Sequence, residues 1–375
     1  MKIGIDCRML QVKYRSGVQE YTEQLLAHLL PLRKDIQYVL LFSSLTKSMP
    51  QYWWLYLNNV KVKQLRWLNI ILFSLNRYLN WPKLDRILRV DVFFSPHIFP
   101  VALSDNCQRV TTIHDLSFVR FPEYFSRRQR GWHSFQANPK KQCQLSNKII
   151  AMSESTKNDL VLLYDSDPAK IEVIYSGTIL KRPLEKEIEV FKKYHDLPDR
   201  YLFYLGTLEP RKNITGIIKA FTLLKQEKYF GNLDLILGGV SGWLYEDIFK
   251  LVENSHIQSQ IHLIDYISDQ REFYYSGAEV FLYPSHFEGF GLPVLEAMAC
   301  GTPVVTSNRS SLPEVAGEAA ILVDPNNVSM IADAIKSILT DSRLRSRLIK
   351  SGLARAQQFS WEVAAQKTLD IIVHS

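Results

Sequence analysis

The stretch YPSHFEGFGLPVLEAMACGTPVVT, residues 283–306, contains the strongest local signals in this chain. Pro293 suits the first position of a helix and Gly301 suits the left-handed residue that follows a last turn, so a short helix is predicted between them. The glycine-rich loop before this helix carries Glu288, and Glu296 is expected on the first helical turn, with seven residues between the two carboxylates. The β-branched residues at the end predict a strand. The stretch therefore predicts a strand, a glycine loop, a helix and a second strand in succession.

The glycine loop of this unit is suited to an anionic ligand. Its backbone N–H groups are not shielded by side chains, and they lie at the N-terminus of a helix, where the peptide dipoles favour negative charge. A carboxylate one turn further along can reach sugar hydroxyls beside a bound phosphate. The unit therefore indicates a site for a phosphate with a sugar next to it.

The composition is that of a globular protein with more than one domain. The chain has 375 residues, of which 46% are hydrophobic and 22% charged, and a chain of this length usually divides into two domains. The net charge of +7 and the pI near 9.0 favour anionic partners such as nucleotide phosphates, anionic lipid or nucleic acid. A solvated basic surface is an equally good explanation of the charge.

The cysteines and the N-terminus indicate a reducing compartment. The four cysteines form no CxxC pair, which argues against a zinc site and against a disulfide scaffold. The start MKIGIDCRML has Asp6 and Arg8 where a signal peptide would be apolar, and no apolar stretch is long enough for a membrane span. A cytoplasmic location is predicted, with any membrane contact peripheral. The cysteines are Cys7, Cys107, Cys143 and Cys300.

The first half of the chain predicts an α/β domain. A buried strand over Lys2–Asp6 is followed by a loop from Cys7 to Ser16, and Gly17 opens a helix with apolar residues at helical spacing. Glycine at this junction leaves bare backbone at a helix N-terminus for a ligand, or it serves only the turn. Further strands are predicted over Tyr38–Phe42, Val92–Ser95, Val110–Ile113, Lys148–Met152 and Ile171–Tyr175.

The second half alternates strands and helices, which predicts a doubly wound parallel sheet. We expect an N-terminal domain over residues 1–178, a charged linker without periodicity over 179–199, a second domain over 200–358 and a C-terminal helix over 359–375 that returns to the first domain. Strands are predicted over Tyr201–Leu205, Leu233–Leu237, Ile261–Ile264 and Val280–Tyr283, and helices over Ile214–Leu224, Tyr245–Val252 and Gln270–Tyr275, with later helices from about Ser329, Ser342 and Trp361.

Residues 51–89 combine tryptophans with basic side chains. Such a mixture on helical segments fits a contact with an anionic membrane or a groove for a hydrophobic acceptor, whereas packing onto the core is the alternative. We expect this segment to form the acceptor-facing edge of the first domain. Its residues of these types are Trp53, Trp54, Trp67, Trp81, Lys61, Lys63, Arg66, Arg77, Lys83, Arg86 and Arg89.

The motif GTLEPRKN, residues 206–213, places Arg211 and Lys212 at the start of a helix. Cations are unfavourable there unless an anion lies with them. An exposed basic pair on a surface loop is the alternative. The loop that carries Glu288 follows another strand of the same sheet. Because both loops lie at the carboxyl ends of their strands, we expect them to meet.

Two polar motifs in the first half have different interpretations. His114 and Asp115 follow a strand, at the edge where open α/β sheets bind ligands. The only DxD triplet, Asp165 to Asp167, precedes Pro168, where Asp and Ser favour local turn and cap hydrogen bonds. We therefore interpret the triplet as a turn and predict no metal site.

The motifs GTLEPRKN, FEGFGLPVLEAMACGTPVV, SLPEV and LVDP together resemble the retaining glycosyltransferases of family 4, or group 1. That family has the GT-B fold, in which two Rossmann-like domains face each other across a cleft. The resemblance covers nearly the whole chain and is strongest from Tyr201 to Trp361. Within the family, the chain is similar to the bacterial mannosyltransferase B enzymes, which use GDP-mannose to build O-antigen and capsule-type polysaccharides.

The resemblance implies donor-binding and catalytic roles for the residues around the glycine loop. Glu288 would lie at the donor sugar near its hydroxyls, and Glu296 would hold the ribose hydroxyls of the nucleotide. The N–H groups around Phe290, Gly291 and Leu292 would bind the sugar and the distal phosphate.

The remaining candidates are implied by the same resemblance. Lys212 would pair with the diphosphate, Gly206 belongs to the donor-binding residues, and Gly17 would let the phosphate approach the first loop. His114 would project toward the sugar and the reaction centre. Many family members carry an arginine after the glycine of GTLEPRKN; since this chain has threonine there, Arg211 is expected to supply the second cation.

The expected chemistry follows from the charges. Departure of a nucleoside diphosphate develops negative charge on its β-phosphate, and preorganised cations and helix N–H groups stabilise that charge, so no metal or other cofactor is predicted. The resemblance implies retention at the anomeric carbon, by attack from the same face through an oxocarbenium-like state. An inverting enzyme would need a general base for the acceptor hydroxyl, a role that His114 could also fill.

We therefore predict a hexosyltransferase that uses GDP-mannose or a related GDP-sugar and extends a lipid-linked glycan of a bacterial cell-surface polysaccharide. Two alternatives stay open: a sugar-nucleotide epimerase on the same fold, and a scaffold that binds a glycan or nucleotide without catalysis. Nucleic acid is not expected as a partner, because the basic residues follow no recognised binding module.

Overall fold

The computed structural model describes residues 1–11, 16–45, 49–267 and 269–375. Within these residues the chain forms two compact units, each built around a parallel sheet, which confirms the predicted α/β class with two doubly wound sheets. Residues 12–15 of the loop predicted between Cys7 and Ser16 lie outside the described part. Unit 1 comprises Met1–Leu116, Arg127–Gly177 and Ser360–Ser375, and unit 2 comprises Ser117–Ser126 and Thr178–Phe359.

The sheet of unit 1 has seven parallel strands among the described residues. They are β1 (Lys2–Asp6), β2 (Gln37–Ser43), β3 (Val60–Leu65), β4 (Val92–Ser95), β5 (Gln108–Ile113), β6 (Lys148–Ala151) and β7 (Ile171–Val173). Their order is β3-β2-β1-β4-β5-β6-β7, so the strand order reverses between β1 and β4. Open α/β sheets bind ligands outside the carboxyl ends of such a central pair.

The sheet of unit 2 follows the same rule with six strands in the described residues. They are β8 (Tyr201–Leu205), β9 (Asp234–Gly238), β10 (Ile261–Ile264), β11 (Val280–Tyr283), β12 (Val304–Ser307) and β13 (Ile321–Val323). The order is β10-β9-β8-β11-β12-β13, so the reversal lies between β8 and β11. All four residues of β11 are buried, as expected for a central strand covered by helices on both faces.

Helices cover the faces of both sheets. They are α1 (Gly17–Leu29), α2 (Asn69–Ser74), α3 (Leu84–Leu88), α4 (Ser117–Arg120), α5 (Arg127–Gln136), α6 (Pro139–Leu145), α7 (Glu154–Tyr164), α8 (Glu185–Tyr194), α9 (Ile214–Leu224), α10 (Glu246–Glu253), α11 (Arg271–Gly277), α12 (Leu292–Ala299), α13 (Leu312–Ala316), α14 (Val328–Thr340), α15 (Ser342–Ala356) and α16 (Trp361–His374). Helix α16 packs on α1 within unit 1, where the rings of Tyr21 and Trp361 lie 5.8 Å apart. No helix in the described part of the chain is long and apolar enough to cross a bilayer.

Several predicted elements are confirmed residue by residue. Strands β1, β4, β8, β10 and β11 and helix α9 begin and end where the sequence places them. The interpretation of the DxD triplet as a turn is also confirmed, because Asp165 ends α7 in the left-handed conformation and Asp167 accepts a hydrogen bond from the N–H of Ala169 at 2.9 Å.

Three local predictions are wrong. The segment interpreted as a linker without periodicity contains α8, because Ile188 and Phe191 are one turn apart and bury the same face. The mixed aromatic and basic segment is not helical throughout, since it contains β3, an edge strand with little burial. Helix α12 begins at Leu292 rather than Pro293, which puts Glu296 in the second turn rather than the first.

Candidate active site

The candidate residues of unit 2 lie at the point where the order of its sheet reverses. The loop after β8 carries Arg211 and Lys212, and the loop after β11 carries Glu288. Because β8 and β11 are parallel neighbours, both loops leave the same edge of the sheet. The topology therefore joins two motifs that are 76 positions apart in the sequence.

Glu288 is the centre of a compact ionic cluster. Its Oε1 lies 2.6 Å from Nζ of Lys212, and its Oε2 lies 3.1 Å from Nη1 of Arg211. Nη2 of Arg211 lies 2.6 Å from Oε1 of Glu209, and Nζ of Lys212 donates to the hydroxyl of Tyr283 at 2.7 Å. Glu209, Lys212 and Glu288 are all buried. The expected meeting of the two loops is thus present as direct contact between their charges.

The pKa values of this cluster reflect burial and charge acting together. Burial by itself would raise the pKa of Glu288, but the charges of Lys212 and Arg211 outweigh that effect and hold the pKa at about 2. Burial, followed by the charge of Arg211, lowers the pKa of Lys212 below its usual range. At neutral pH the carboxylate of Glu288 is therefore ionised.

The cluster supplies its own anions. We expected an external anion to account for Arg211 and Lys212 beside a helix start, but Glu209 and Glu288 already carry two negative charges against these two positive ones. A diphosphate that binds here has to compete with Glu288 for the two cations. Such a competition would leave the carboxylate of Glu288 with oxygen lone pairs available to hydroxyl donors.

Helix α12 is preceded by a glycine that no other residue could replace without strain. Gly291 precedes the helix with a φ of +101°, and a Cβ at this position would lie 2.6 Å from Cδ2 of Leu312. The hydroxyl of Ser311 lies within hydrogen-bond distance of the carbonyl oxygens of Glu288, at 3.0 Å, and Phe290, at 2.8 Å, and its one proton is shared between them. The loop is thus held in the conformation that presents the start of α12 at the sheet edge.

Glu296 is buried inside unit 2 with its carboxylate bound on both sides. Its Oε1 lies 2.8 Å from Nη2 of Arg271, and its Oε2 accepts a hydrogen bond from the hydroxyl of Tyr275 at 2.9 Å. The residue is 3% exposed.

Gly17, in unit 1, has room for a side chain among the described residues. It is the first residue of α1, whose N-cap Ser16 accepts a hydrogen bond from the N–H of Gln19. The backbone of Gly17 is not in the left-handed region, and among the described residues no atom lies within 4 Å of the point that a Cβ would occupy. The two interpretations of this glycine, a ligand contact and a requirement of the turn, both stay predictions.

His114, also in unit 1, is a neutral side chain with a defined hydrogen bond. Its Nε2 lies 2.8 Å from the carbonyl oxygen of Pro96, which can only accept, so Nε2 carries the proton. Burial is the main cause that lowers the pKa of His114 to about 4. The ring packs edge-on against Tyr21, with ring centres 4.8 Å apart. At neutral pH Nδ1 is an acceptor and the imidazole carries no charge.

Comparison with known proteins identifies the family of this chain. Residues 185–355 match the family described as glycosyl transferases group 1, and residues 15–182 match the glycosyltransferase family 4 domain. The chain is 35% identical over 290 residues to the O-antigen chain mannosyltransferase B of Escherichia coli, covering 76% of this chain and 74% of that protein. This chain is a group 1 glycosyltransferase. The family assignment made from the sequence motifs is confirmed.

Solved structures agree on the fold of this glycosyltransferase. WaaG, a glycosyltransferase involved in lipopolysaccharide biosynthesis, aligns over 100% of both chains with a TM-score of 0.74 and 16% identity. Anabaena HepE in complex with UDP and glucose aligns over 99% of both chains with a TM-score of 0.71 and 15% identity. At this identity the likeness concerns the GT-B fold alone.

Sequence reasoning missed two parts of the surroundings of the Glu288 cluster. Gly206 approaches Gly239 so closely that a Cβ on Gly239 would lie 2.0 Å from the carbonyl oxygen of Gly206. The pair Gly238-Gly239 at the end of a predicted strand was the available signal, because two adjacent glycines often mark a close approach of backbones. Gly206 thus lies at the same sheet edge as the Glu288 cluster.

The other missed part is the segment Ser117–Ser126, which belongs to unit 2 although it lies in the first half of the chain. The ring of Tyr124 stacks on His286 with centres 5.3 Å apart, and Phe121 lies 5.3 Å from Phe287. Nε1 of Trp243 donates to the carbonyl oxygen of Tyr124 at 2.6 Å. The segment therefore supports the loop that carries Glu288, and its aromatic residues were the signal.

Proposed function

We propose that this glycosyltransferase moves a hexose, mannose from GDP-mannose or a related GDP-sugar, onto a growing lipid-linked polysaccharide of a bacterial cell surface. The observation that carries the proposal is the buried cluster of Glu288, Lys212 and Arg211 at the switch point of unit 2. The 35% sequence identity to an O-antigen chain mannosyltransferase supports mannose as the sugar and a polysaccharide as the product.

In this proposal Lys212 and Arg211 stabilise the departing diphosphate. They are held in place before the donor binds, so little reorganisation is needed when charge develops on the β-phosphate. The N-terminus of α12, with its dipole and the N–H groups around Phe290, Gly291 and Leu292, adds to this stabilisation. The reaction would then proceed without a metal ion, and full activity in the presence of a chelator is the expected result.

Glu288 and Glu296 have separate roles in the proposed donor complex. When the diphosphate takes over part of the pairing of Lys212 and Arg211, the ionised carboxylate of Glu288 accepts hydrogen bonds from the sugar hydroxyls. Glu296, oriented by Arg271 and Tyr275, accepts hydrogen bonds from the ribose hydroxyls. Gly206 belongs to the donor site with them.

The role we propose for His114 is binding rather than base catalysis. A general base is most effective when its pKa lies near the working pH. With its pKa at about 4, His114 is too weakly basic to remove a proton from an acceptor hydroxyl efficiently near neutral pH. This supports transfer with retention, in which His114 contacts the sugar as a neutral hydrogen-bond acceptor and Gly17 admits the phosphate.

We also propose that residues 51–89 of unit 1 make a peripheral contact with the cytoplasmic face of a membrane that contains anionic lipid. Trp54 is buried and is explained by core packing, but Trp53 is 61% exposed and Trp81 is 53% exposed. Tyr78 and Leu79 are also exposed, at 69% and 67%. Exposed aromatic and aliphatic side chains among lysines and arginines are typical of a membrane interface.

One set of incubations tests the proposed reaction. Purified protein is incubated with GDP-mannose, UDP-glucose or ADP-glucose, with and without a mannosylated lipid-linked acceptor, and the products are analysed by proton NMR. We expect mannose transfer only with GDP-mannose and acceptor, and an α-anomeric product. An epimerised nucleotide sugar without acceptor would favour the epimerase alternative, and binding without turnover would favour the scaffold.

A further inference from the structure

A second set of charged side chains is buried at the carboxyl edge of the sheet of unit 1, where its strand order reverses. Asp6 is the last residue of β1, Arg8 lies two residues further on, and His97 follows β4. The side chains of Asp6 and Arg8 are 0% exposed and that of His97 is 3% exposed. None of these residues belongs to the donor site proposed above.

Arg8 and Asp6 hold each other in a bidentate pair. Nε of Arg8 lies 2.8 Å from Oδ1 of Asp6, and Nη2 lies 2.5 Å from Oδ2. The backbone N–H of Arg8 also donates to Oδ1, at 3.2 Å. Burial would raise the pKa of Asp6, but Arg8 and His97 together bring it well below its usual range. The carboxylate is therefore a permanent charge at the end of β1.

The pair also holds the loop that follows β4. Nη2 of Arg8 lies 3.4 Å from the carbonyl oxygen of Pro100, and its guanidinium group lies 4.9 Å from the ring centre of Phe73. Nδ1 of His97 accepts a hydrogen bond from the backbone N–H of Phe99 at 3.3 Å. Nε2 of His97 lies 3.5 Å from Oδ1 of Asp6, without the geometry of a hydrogen bond. His97 and Pro100, both in this loop, thus lie against the charged side chains at the end of β1.

The same loop provides the hydrogen-bond acceptor for His114. The carbonyl oxygen of Pro96, directly before His97, accepts a hydrogen bond from Nε2–H of His114 at 2.8 Å. On the opposite side the ring of His114 meets Tyr21, whose hydroxyl shares a hydrogen bond with Thr112. The orientation of His114 therefore depends on where the loop after β4 is held.

Stability alone does not explain a buried ion pair at this position. Desolvation offsets much of the attraction between two buried charges, and apolar side chains of similar volume often serve stability as well or better. Nη1 of Arg8 adds to that cost, because it is buried and has no hydrogen-bond partner among the described residues. What apolar side chains would not supply is the hydrogen bond from Arg8 to the carbonyl oxygen of Pro100.

We propose that Asp6, Arg8 and His97 are positioning residues that hold the loop after β4, and through Pro96 keep His114 in the tautomer with the proton on Nε2 and the lone pair on Nδ1. This inference rests on the proposed function in that it takes His114 as a sugar-binding residue. The network presents Nδ1 of His114 as an acceptor for a hydroxyl group of the donor sugar. A proton on Nδ1 would turn this acceptor into a donor and remove the contact.

Two variants test the network without leaving a lone buried charge. The double variant Asp6→Leu/Arg8→Met removes both charges, and His97→Phe removes the link while keeping an aromatic ring beside Phe99, whose ring centre lies 4.4 Å away. Imidazole ¹⁵N NMR reports the tautomer of His114, with His114→Gln used for assignment. Steady-state kinetics with GDP-mannose report kcat and KM. The matched control is His262→Phe, which breaks a His–Asp contact of 2.6 Å in unit 2.

In the unmodified protein we expect one tautomer of His114, protonated at Nε2. In both variants we expect a mixture of tautomers and a fall in kcat of roughly tenfold or more, because misplacing a contact group by about 1 Å can have effects of that size. Combined with His114→Gln, neither variant should lower kcat further, since residues that act through one group are not additive. His262→Phe should leave kcat and the His114 signals unchanged.

Three outcomes separate the inference from the proposed function. An unchanged single tautomer in a folded variant overturns the positioning network, as does a further loss of kcat in the His114→Gln background. A changed tautomer with unchanged kcat supports the network and instead overturns the proposed role of His114 in transfer. Thermal unfolding identifies a variant that does not fold, and the other variant then decides.

Discussion

Nζ of Lys212 lies 2.6 Å from Oε1 of Glu288, and the two side chains are 10% and 8% exposed. The contact joins the loops that follow two neighbouring strands, β8 and β11, at the reversal point of the sheet of unit 2. It is the link between the motif GTLEPRKN and the glycine loop.

Replacing Lys212 by methionine should leave Glu288 with one cation and destabilise the protein by about 3 kcal/mol, because removing one partner of a buried ion pair leaves an uncompensated charge. The matched control is Lys336→Met. Lys336 pairs with Glu227 at a similar 2.7 Å, but the two side chains are 44% and 46% exposed. An exposed pair contributes at most about 1 kcal/mol. Denaturation in urea measures both, and equal losses would contradict the assigned role of burial.

The ionisation of Glu288 should make stability depend on pH in the acid range. Its pKa falls from 4.5 in the unfolded chain to about 2 in the folded protein. The unfolded state therefore binds the proton more tightly, so the stabilisation is complete above pH 4.5 and is lost as the pH falls toward 2. The free energy of unfolding of the unmodified protein minus that of Glu288→Gln should rise by about 3 kcal/mol across this window. A difference that stays constant from about pH 2.5 to about pH 6 would contradict the prediction.

Gly17→Ala should separate activity from stability. The Cβ has open space among the described residues, and alanine is the better helix former, so the free energy of unfolding should be unchanged or rise by up to about 1 kcal/mol. If a phosphate approaches this backbone, the KM for the donor should rise roughly tenfold, equivalent to about 1.4 kcal/mol of binding. Gly131→Ala, also in open space on a helix, is the control and should leave the KM unchanged. Equal KM values for both variants would exclude a role of Gly17 in donor binding.

Gly291→Ala should be destabilising, unlike the substitution at Gly17. The φ of +101° is unfavourable for any side chain, and the added Cβ would lie 2.6 Å from Cδ2 of Leu312. Strain of this kind is worth about 1 to 3 kcal/mol. Adding Leu312→Ala should not restore the original stability, because it removes the close contact but not the backbone strain and creates a cavity of its own. Thermal unfolding of the single and double variants checks this, and an unchanged midpoint for Gly291→Ala would refute it.

Leu79→Asp should weaken binding to vesicles that contain anionic phospholipid. Leu79 is 67% exposed, so a charge there has little effect on the fold but opposes insertion into the interface. Leu162→Asp is the matched control, because Leu162 is 74% exposed and lies outside residues 51–89. Flotation at low salt measures binding, and the same loss for both variants would show that residues 51–89 are not the contact surface.

Most regular elements could be predicted because their signals are local. Strand β11 is a continuous apolar run, and helix α9 has apolar residues at helical spacing between polar boundaries. Strand β3 and helix α8 were not predicted, because each has only a few buried residues and their charged side chains obscure the period. Glu296 was placed one turn too early because the helix begins at Leu292, before the proline.

The candidate residues could be chosen from the motifs, but not their partners. Nothing near Glu288 in the sequence indicates that its carboxylate binds Lys212 rather than an external hydroxyl. Likewise, the sequence around His114 contains no sign that the carbonyl oxygen of Pro96 sets its tautomer, or that Asp6 and His97 lie beside each other. These contacts depend on strand order.

The local pattern of apolar residues, glycines and prolines was sufficient to predict the α/β class and the parallel sheets, because each of these signals acts within a few residues along the chain. The family was indicated by the resemblance of four motifs. Tertiary structure decided which charges meet. It placed β8 beside β11 and β1 beside β4, and burial at those two sheet edges then set the pairing and the ionisation of Glu288, Lys212 and Asp6. Burial and pairing depend on which residues are neighbours in space. Residues that are distant in the sequence become neighbours only when the sheet forms.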